Sequence, residues 1–153
     1  NTVISTLRSS HCCTGLGSST LMGRKSFRLT TKEREVNLVK ISARQLGFHK
    51  SVHYANIFVR GYDCGLRSCP VDLAAQLRIQ YTDQPEGEIL RIIVKDKITD
   101  FYGKPRIFAV MKHCDRKLLD ICGGWTDLCF NPDDVFVFIK PPQEVATALL
   151  RFS

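Results

Sequence analysis

The strongest constraint on this chain is a series of short apolar runs, rich in β-branched residues and closely spaced between turn-forming clusters. Ile89–Lys95 (Ile-Leu-Arg-Ile-Ile-Val-Lys) is the clearest, and Arg106–Met111, Leu118–Ile121 and Val135–Ile139 follow it. Branched side chains pack well on a pleated surface, and runs this short suit strands better than helices. Asp83-Gln84-Pro85-Glu86-Gly87, Asp100-Phe101-Tyr102-Gly103-Lys104-Pro105, the polar turn Lys112–Lys117 and Pro141-Pro142 punctuate them. Asn56–Arg60 reads as a further strand, and the alternation of Val36, Leu38 and Lys40 hints at one more. The pattern predicts a mainly β fold, a barrel or a sandwich. It leaves room for one or two short helices. Val71–Leu77 is the first, with Pro70 at its start, Asp72 in its first turn and an apolar stripe of Leu73, Ala74 and Leu77. Ser42–Leu46, ended by Gly47, is the second. Val145–Phe152 is compatible with either a strand or a helix.

At 153 residues the chain fits one domain, or one domain with an extension, and can bury a core without disulfides or metals. Its apolar and charged fractions, 44% and 24%, are those of an ordinary globular protein, and no apolar run approaches the length of a membrane span. Because it begins with Asn1, it is expected to be a fragment or a processed product. The net charge of +7 is unevenly placed: residues 1–50 hold nine Lys/Arg and two acids, whereas the remainder holds thirteen of each sign. A basic segment of residues 1–47, with a Ser/Gly-containing start, is therefore expected to extend from a neutral domain over 48–153, and its charge suits a polyanion. Seven cysteines without C-x-x-C spacing argue against a disulfide scaffold.

The most distinctive local motif is Gly123-Gly124-Trp125-Thr126-Asp127-Leu128, followed by Phe130-Asn131-Pro132-Asp133-Asp134-Val135-Phe136-Val137-Phe138. It reads as a glycine turn, the chain's only tryptophan, an acidic turn and a buried strand. Leu66-Arg67-Ser68-Cys69-Pro70, the helix Val71–Leu77, the strand Ile89–Val94, Asp100-Phe101-Tyr102-Gly103-Lys104 and the strand Arg106–Met111 precede it in order. This ordered set, from about residue 48 to 152 and opened by Phe48-His49-Lys50, resembles the plant-specific B-three DNA-binding domain, nearest its vernalization and reproductive-meristem branches. The chain departs from the family pattern at Asp133, where a glycine is usual, and after Trp125, where the helical piece is short.

The resemblance implies an open seven-stranded pseudobarrel that binds double-stranded DNA in the nucleus as part of a transcription regulator, two arms clasping the major groove. The first arm falls on residues 60–68, with Arg60, Tyr62, Arg67 and Ser68 as candidate DNA contacts beside Asp63. The second falls on Lys112–Lys117, with Lys112, His113, Arg116 and Lys117 beside Asp115. Arginine can pair bidentately with guanine, and lysine and histidine can reach bases or phosphates. Lys50, Lys95, Lys97 and Lys104 are expected phosphate contacts, which position without specifying.

No cofactor, metal or catalytic activity is expected. Zinc ligation by His11-Cys12-Cys13, or by Cys64 and Cys69 with His113 and Cys114, lacks paired C-x-x-C knuckles. A Cys–His nucleophile pair drawn from Cys114 or Cys122 with His53 or His113 has no recognisable orienting acid. The competing expectation is a protein–protein interaction module on the same barrel, or a homodimer, favoured by the neutral charge of residues 51–153 and the acids in both arms.

Overall fold

The computed structural model describes residues 2–9, 11–15, 22, 33–95, 98–99, 102–122 and 129–142. Trp125 with its glycine turn, Lys97 and the stretch Val145–Phe152 lie outside the described residues. The fold is mainly β, with three helices among the described residues. The elements are α1 (Thr2–Ser9), β1 (Cys12–Thr14), β2 (Leu38–Ser42), β3 (Val52–His53), α2 (Tyr54–Asp63), α3 (Leu73–Gln80) and β4 (Ile89–Ile92). They continue as β5 (Ile98–Thr99), β6 (Pro105–His113), β7 (Arg116–Cys122), β8 (Cys129–Phe130) and β9 (Val135–Ile139).

Six strands form a mixed sheet in the order β1-β7-β6-β4-β9-β2, β5 adds to β6, and β3 pairs with β8 in a separate ribbon. The sheet is open, not a closed barrel: β1 and β2 are its two edges. Two strands of this sheet, β1 and β2, come from the first 47 residues. The parallel pairs are β1 with β7 and β4 with β9; the rest are antiparallel.

The side-chain period of two sends alternate residues of each strand to opposite faces, and both faces are covered. One face buries Leu90, Ile92, Phe108, Val110, Leu119 and Val137 against Leu7 of α1 and Ala74 and Ala75 of α3. The other buries Ile93, Ile107, Phe136 and Phe138 against Ile57 of α2, Leu46 and Phe130. Phe130 meets Phe136 edge-on, their ring centres 5.1 Å apart.

Several expectations need correction. Asn56–Arg60 is not a strand but the middle of α2. Its β-branched and aromatic residues suit either state locally. Burial decides: Ile57 and Gly61 are buried and Tyr54 and Phe58 partly so, a spacing of three and four that only a helix puts on one side. His53 caps α2 by accepting a hydrogen bond from the Ala55 amide at 3.1 Å. The expected helix Val71–Leu77 starts and ends later, at Leu73–Gln80. Ser42–Leu46 makes a single turn: the Gln45 amide donates to Ser42 Oγ at 3.0 Å and the Ser42 amide to Gln45 Oε1 at 2.8 Å. Gly47, at φ +103°, ends it. The polar turn expected over Lys112–Lys117 shrinks to Cys114 and Asp115, because β6 runs through His113 and β7 starts at Arg116.

Candidate nucleic-acid interface

Strand register divides the polar residues between the two ends of the sheet. β4 and β9 run side by side in the same direction, pairing as far as Ile92 and Val137. Beyond that point Leu66–Cys69 takes over the backbone bonding of both strands. Arg67 and Ile139 exchange two hydrogen bonds of 2.8 Å, and the Cys69 amide donates to the Ile93 carbonyl at 2.7 Å. The residue pairs are Arg67 with Ile139 and Cys69 with Val94. The wedge is anchored by Cys69, which is buried and reaches the Val137 carbonyl with its Sγ at 3.6 Å. Burial pushes the Cys69 thiol up to about 12, so it stays protonated at neutral pH.

Arg67 is exposed and ordered by its surroundings. One terminal nitrogen donates to the Leu66 carbonyl at 2.7 Å, and the guanidinium lies over the Tyr62 ring, 4.8 Å from its centre. Tyr62 stacks on Phe58 at 4.8 Å, and its hydroxyl hydrogen-bonds Ser68 Oγ at 3.2 Å. Lys95 follows β4 and Lys140 follows β9, so both stand at the same end as Arg67. Because β6 runs antiparallel to β4, Lys104, Arg106 and the 69% exposed Tyr102 reach this end too. None of the ion pairs among the described residues engages Arg67, Lys95 or Lys140. Among the described residues, Asp63 near the end of α2 and Glu33 and Glu35 ahead of β2 are exposed carboxylates. The last two line an open cleft of about 890 Å³ between residues 33–38 and α3.

The β6–β7 hairpin lies at the opposite end. Lys112 pairs across the strands with Lys117, and His113 with Arg116. Acids surround it: the Glu86 carboxylate accepts from the Asp115 amide at 3.2 Å and from the Cys114 amide. All three ion pairs among the described residues involve acids that lie just ahead of a strand starting at this end. They are Lys40–Glu88 at 3.0 Å, Arg44–Asp133 at 3.1 Å and Arg91–Asp134 at 3.4 Å. The Glu88 carboxylate holds the Lys40 ammonium above its ordinary pKa. Arg116 donates to Cys13 Sγ at 3.3 Å.

The structure therefore brings Tyr62, Arg67, Ser68, Lys95 and Lys104 to one end and Lys112, His113, Arg116 and Lys117 to the other. The nine residues of β6 separate the ends by roughly 30 Å at about 3.3 Å per residue. Arg60 joins neither set, because its Nε donates to the Leu46 carbonyl at 2.9 Å. Arg60 and Tyr62 belong to α2, not to a loop arm. Lys50 is exposed, just ahead of the β3–β8 ribbon. The zinc sets drawn from sequence do not form: Cys12 Sγ reaches the Arg78 carbonyl at 3.7 Å, Cys69 is buried, and Cys64 ends α2.

Sequence reasoning missed Lys140 and Tyr102, which reach this end only through the pairing of distant strands. It also missed Arg78, which is fully buried. Arg78 donates to Gln84 Oε1 at 2.6 Å and to the carbonyls of Tyr81 at 2.6 Å and Met111 at 2.8 Å. This cage ties α3 to the hairpin strands, and burial lowers the arginine's pKa. Comparison with protein-family models, with curated proteins and with solved structures finds no match.

Proposed function

We propose that this chain is a double-stranded DNA-binding domain of a plant nuclear transcription regulator, and that DNA meets the basic end of the sheet. The observation that carries this reading is the Leu66–Cys69 wedge: it holds Arg67 over Tyr62 between Lys95 and Lys140, none of them in an ion pair among the described residues. An arginine ordered by stacking and by backbone carbonyls loses little freedom on pairing with a guanine edge or a phosphate. Flanking lysines supply charge that fixes register without reading sequence. Ser68 and Tyr62 add hydroxyls beside it. In the same reading the open sheet is a seven-stranded pseudobarrel in which one arm, not two, contacts the groove. A clasp by both sets would have to span the ~30 Å of β6, well beyond a major groove about 12 Å wide.

The test is selection of binders from a random double-stranded DNA library by the purified chain, followed by titration of the winner. The expected result is an enriched motif bound roughly a thousandfold or more tighter than scrambled DNA at 150 mM salt. Loss of sequence preference in Arg67→Ala would assign the reading to the wedge. Binding without enrichment that vanishes as salt rises would leave only a non-specific contact and turn the search to a protein partner.

A further inference from the structure

We propose that the tip of the β6–β7 hairpin is a zinc site formed by Glu86, His113 and Cys114. One carboxylate oxygen, one imidazole nitrogen and Cys114 Sγ lie within 4.8 Å of one another, and all three residues are exposed. In a tetrahedral site with bonds of about 2.3 Å to sulfur and 2.0–2.1 Å to nitrogen and oxygen, such atoms stand about 3.3–3.6 Å apart. Small rotations of exposed side chains cover the difference. The donors come from two stretches, Glu86 just ahead of β4 and the adjacent His113 and Cys114 at the hairpin tip. The Gly87 amide donates to the Lys112 carbonyl at 2.8 Å, which pins the Glu86 segment alongside β6.

The geometry of the tip favours the ligand set. Cys114 and Asp115 have φ of +50° and +60°, the left-handed conformation of a two-residue hairpin turn. This region is unfavourable for side chains other than glycine, asparagine and aspartate, so a cysteine here carries a cost. The turn's two amides point at the Glu86 carboxylate and hold it in place. A carboxylate has lone pairs enough to accept both amides and still bind a cation, and ligating carboxylates are ordinarily oriented by such bonds. One thiolate, one imidazole and one carboxylate form a borderline-soft set that suits zinc and leaves a fourth position for water. On binding, Cys114 gives its thiol proton to solvent, and the thiolate and the Glu86 carboxylate balance the two positive charges of the ion.

This inference is independent of DNA binding. Its test uses the purified chain, stripped with chelator and titrated with Co²⁺ as a spectroscopic stand-in and then with Zn²⁺ by calorimetry. The expected result is one ion per chain, a near-ultraviolet thiolate-to-cobalt band, and affinity that rises with pH. C114S should abolish the band, and E86Q and H113A should each weaken binding about tenfold or more, with the circular dichroism of the fold unchanged. C129S, which removes an exposed cysteine outside the site, should change nothing. Absence of a band in the unsubstituted chain, or a band and affinity that survive in C114S, would overturn the assignment and move any metal binding to another cysteine.

Discussion

Gly61 sits in the third turn of α2, where glycine costs a helix about 1 kcal/mol relative to alanine. The reason it stands there is steric: a β-carbon at this position would run into the Phe138 ring. Gly61→Ala should therefore destabilise the protein by about 1–3 kcal/mol despite its better helix propensity, measured as a lower urea midpoint. Arg78 makes the complementary case for a buried charge. Substitution by Met would strand the buried Gln84 Oε1 and two part-buried carbonyls, and should cost about 3 kcal/mol or more in the same experiment. Acids whose pKa is raised by burial, chief among them Cys69 and Tyr54, predict an alkaline limb. Cys69 is raised from 9.0 to about 12 and Tyr54 from 10.0 to about 12, both by burial. Their folded pKa values lie above their unfolded ones, so the stability is fully present below pH 9 and is lost as pH rises toward 12. The loss is at most about 1.4 kcal/mol per pH unit for each proton. In Cys69→Ala the decline should be shallower, with its onset still near pH 9 because burial also raises Cys122 from 9.0.

At the scale of elements, β4, β6, β7 and β9 were legible in the sequence, whereas α2 and the short strands β1, β3, β5 and β8 were not. Val135–Ile139 is β9 residue for residue, and Ile89, Arg106 and Leu118 fall in β4, β6 and β7. The central residues of β6 and β9 are buried on both faces, so their positions are apolar and the β-branched and aromatic content decides. Asn56–Arg60 has the same local composition, and only the distant partners of Ile57 and Gly61 make it helical. Its start depends on a single cap. His53→Ala should remove the acceptor for the Ala55 amide and cost about 1 kcal/mol. Faster amide exchange in the first turn of α2, with the hairpin unaffected, would locate the loss. The wedge was half legible: an extended Leu66–Cys69 before Pro70 is what the proline demands, but its insertion between β4 and β9 depends on pairing with residues far along the chain.

At the scale of the whole molecule, charge by sequence position and charge by location tell different stories. Residues 51–153 sum to zero, yet register sorts their charges. Glu86, Glu88, Asp133 and Asp134 gather at the hairpin end, where they engage backbone amides and cations. Arg67, Lys95 and Lys140 stand at the other. A linear reading sees two basic clusters of equal promise. The fold distinguishes them, because parallel pairing of β4 with β9 puts two strand ends and the wedge side by side. The measurement that tests this most directly is the salt dependence of DNA affinity for two triple variants. Arg67→Ala/Lys95→Ala/Lys140→Ala should bind more weakly and reduce the slope of log affinity against log salt by about 0.9 for each lost phosphate contact. Lys112→Ala/Arg116→Ala/Lys117→Ala should leave both affinity and slope close to those of the unsubstituted chain. The reverse ranking would place DNA at the hairpin and contradict the account.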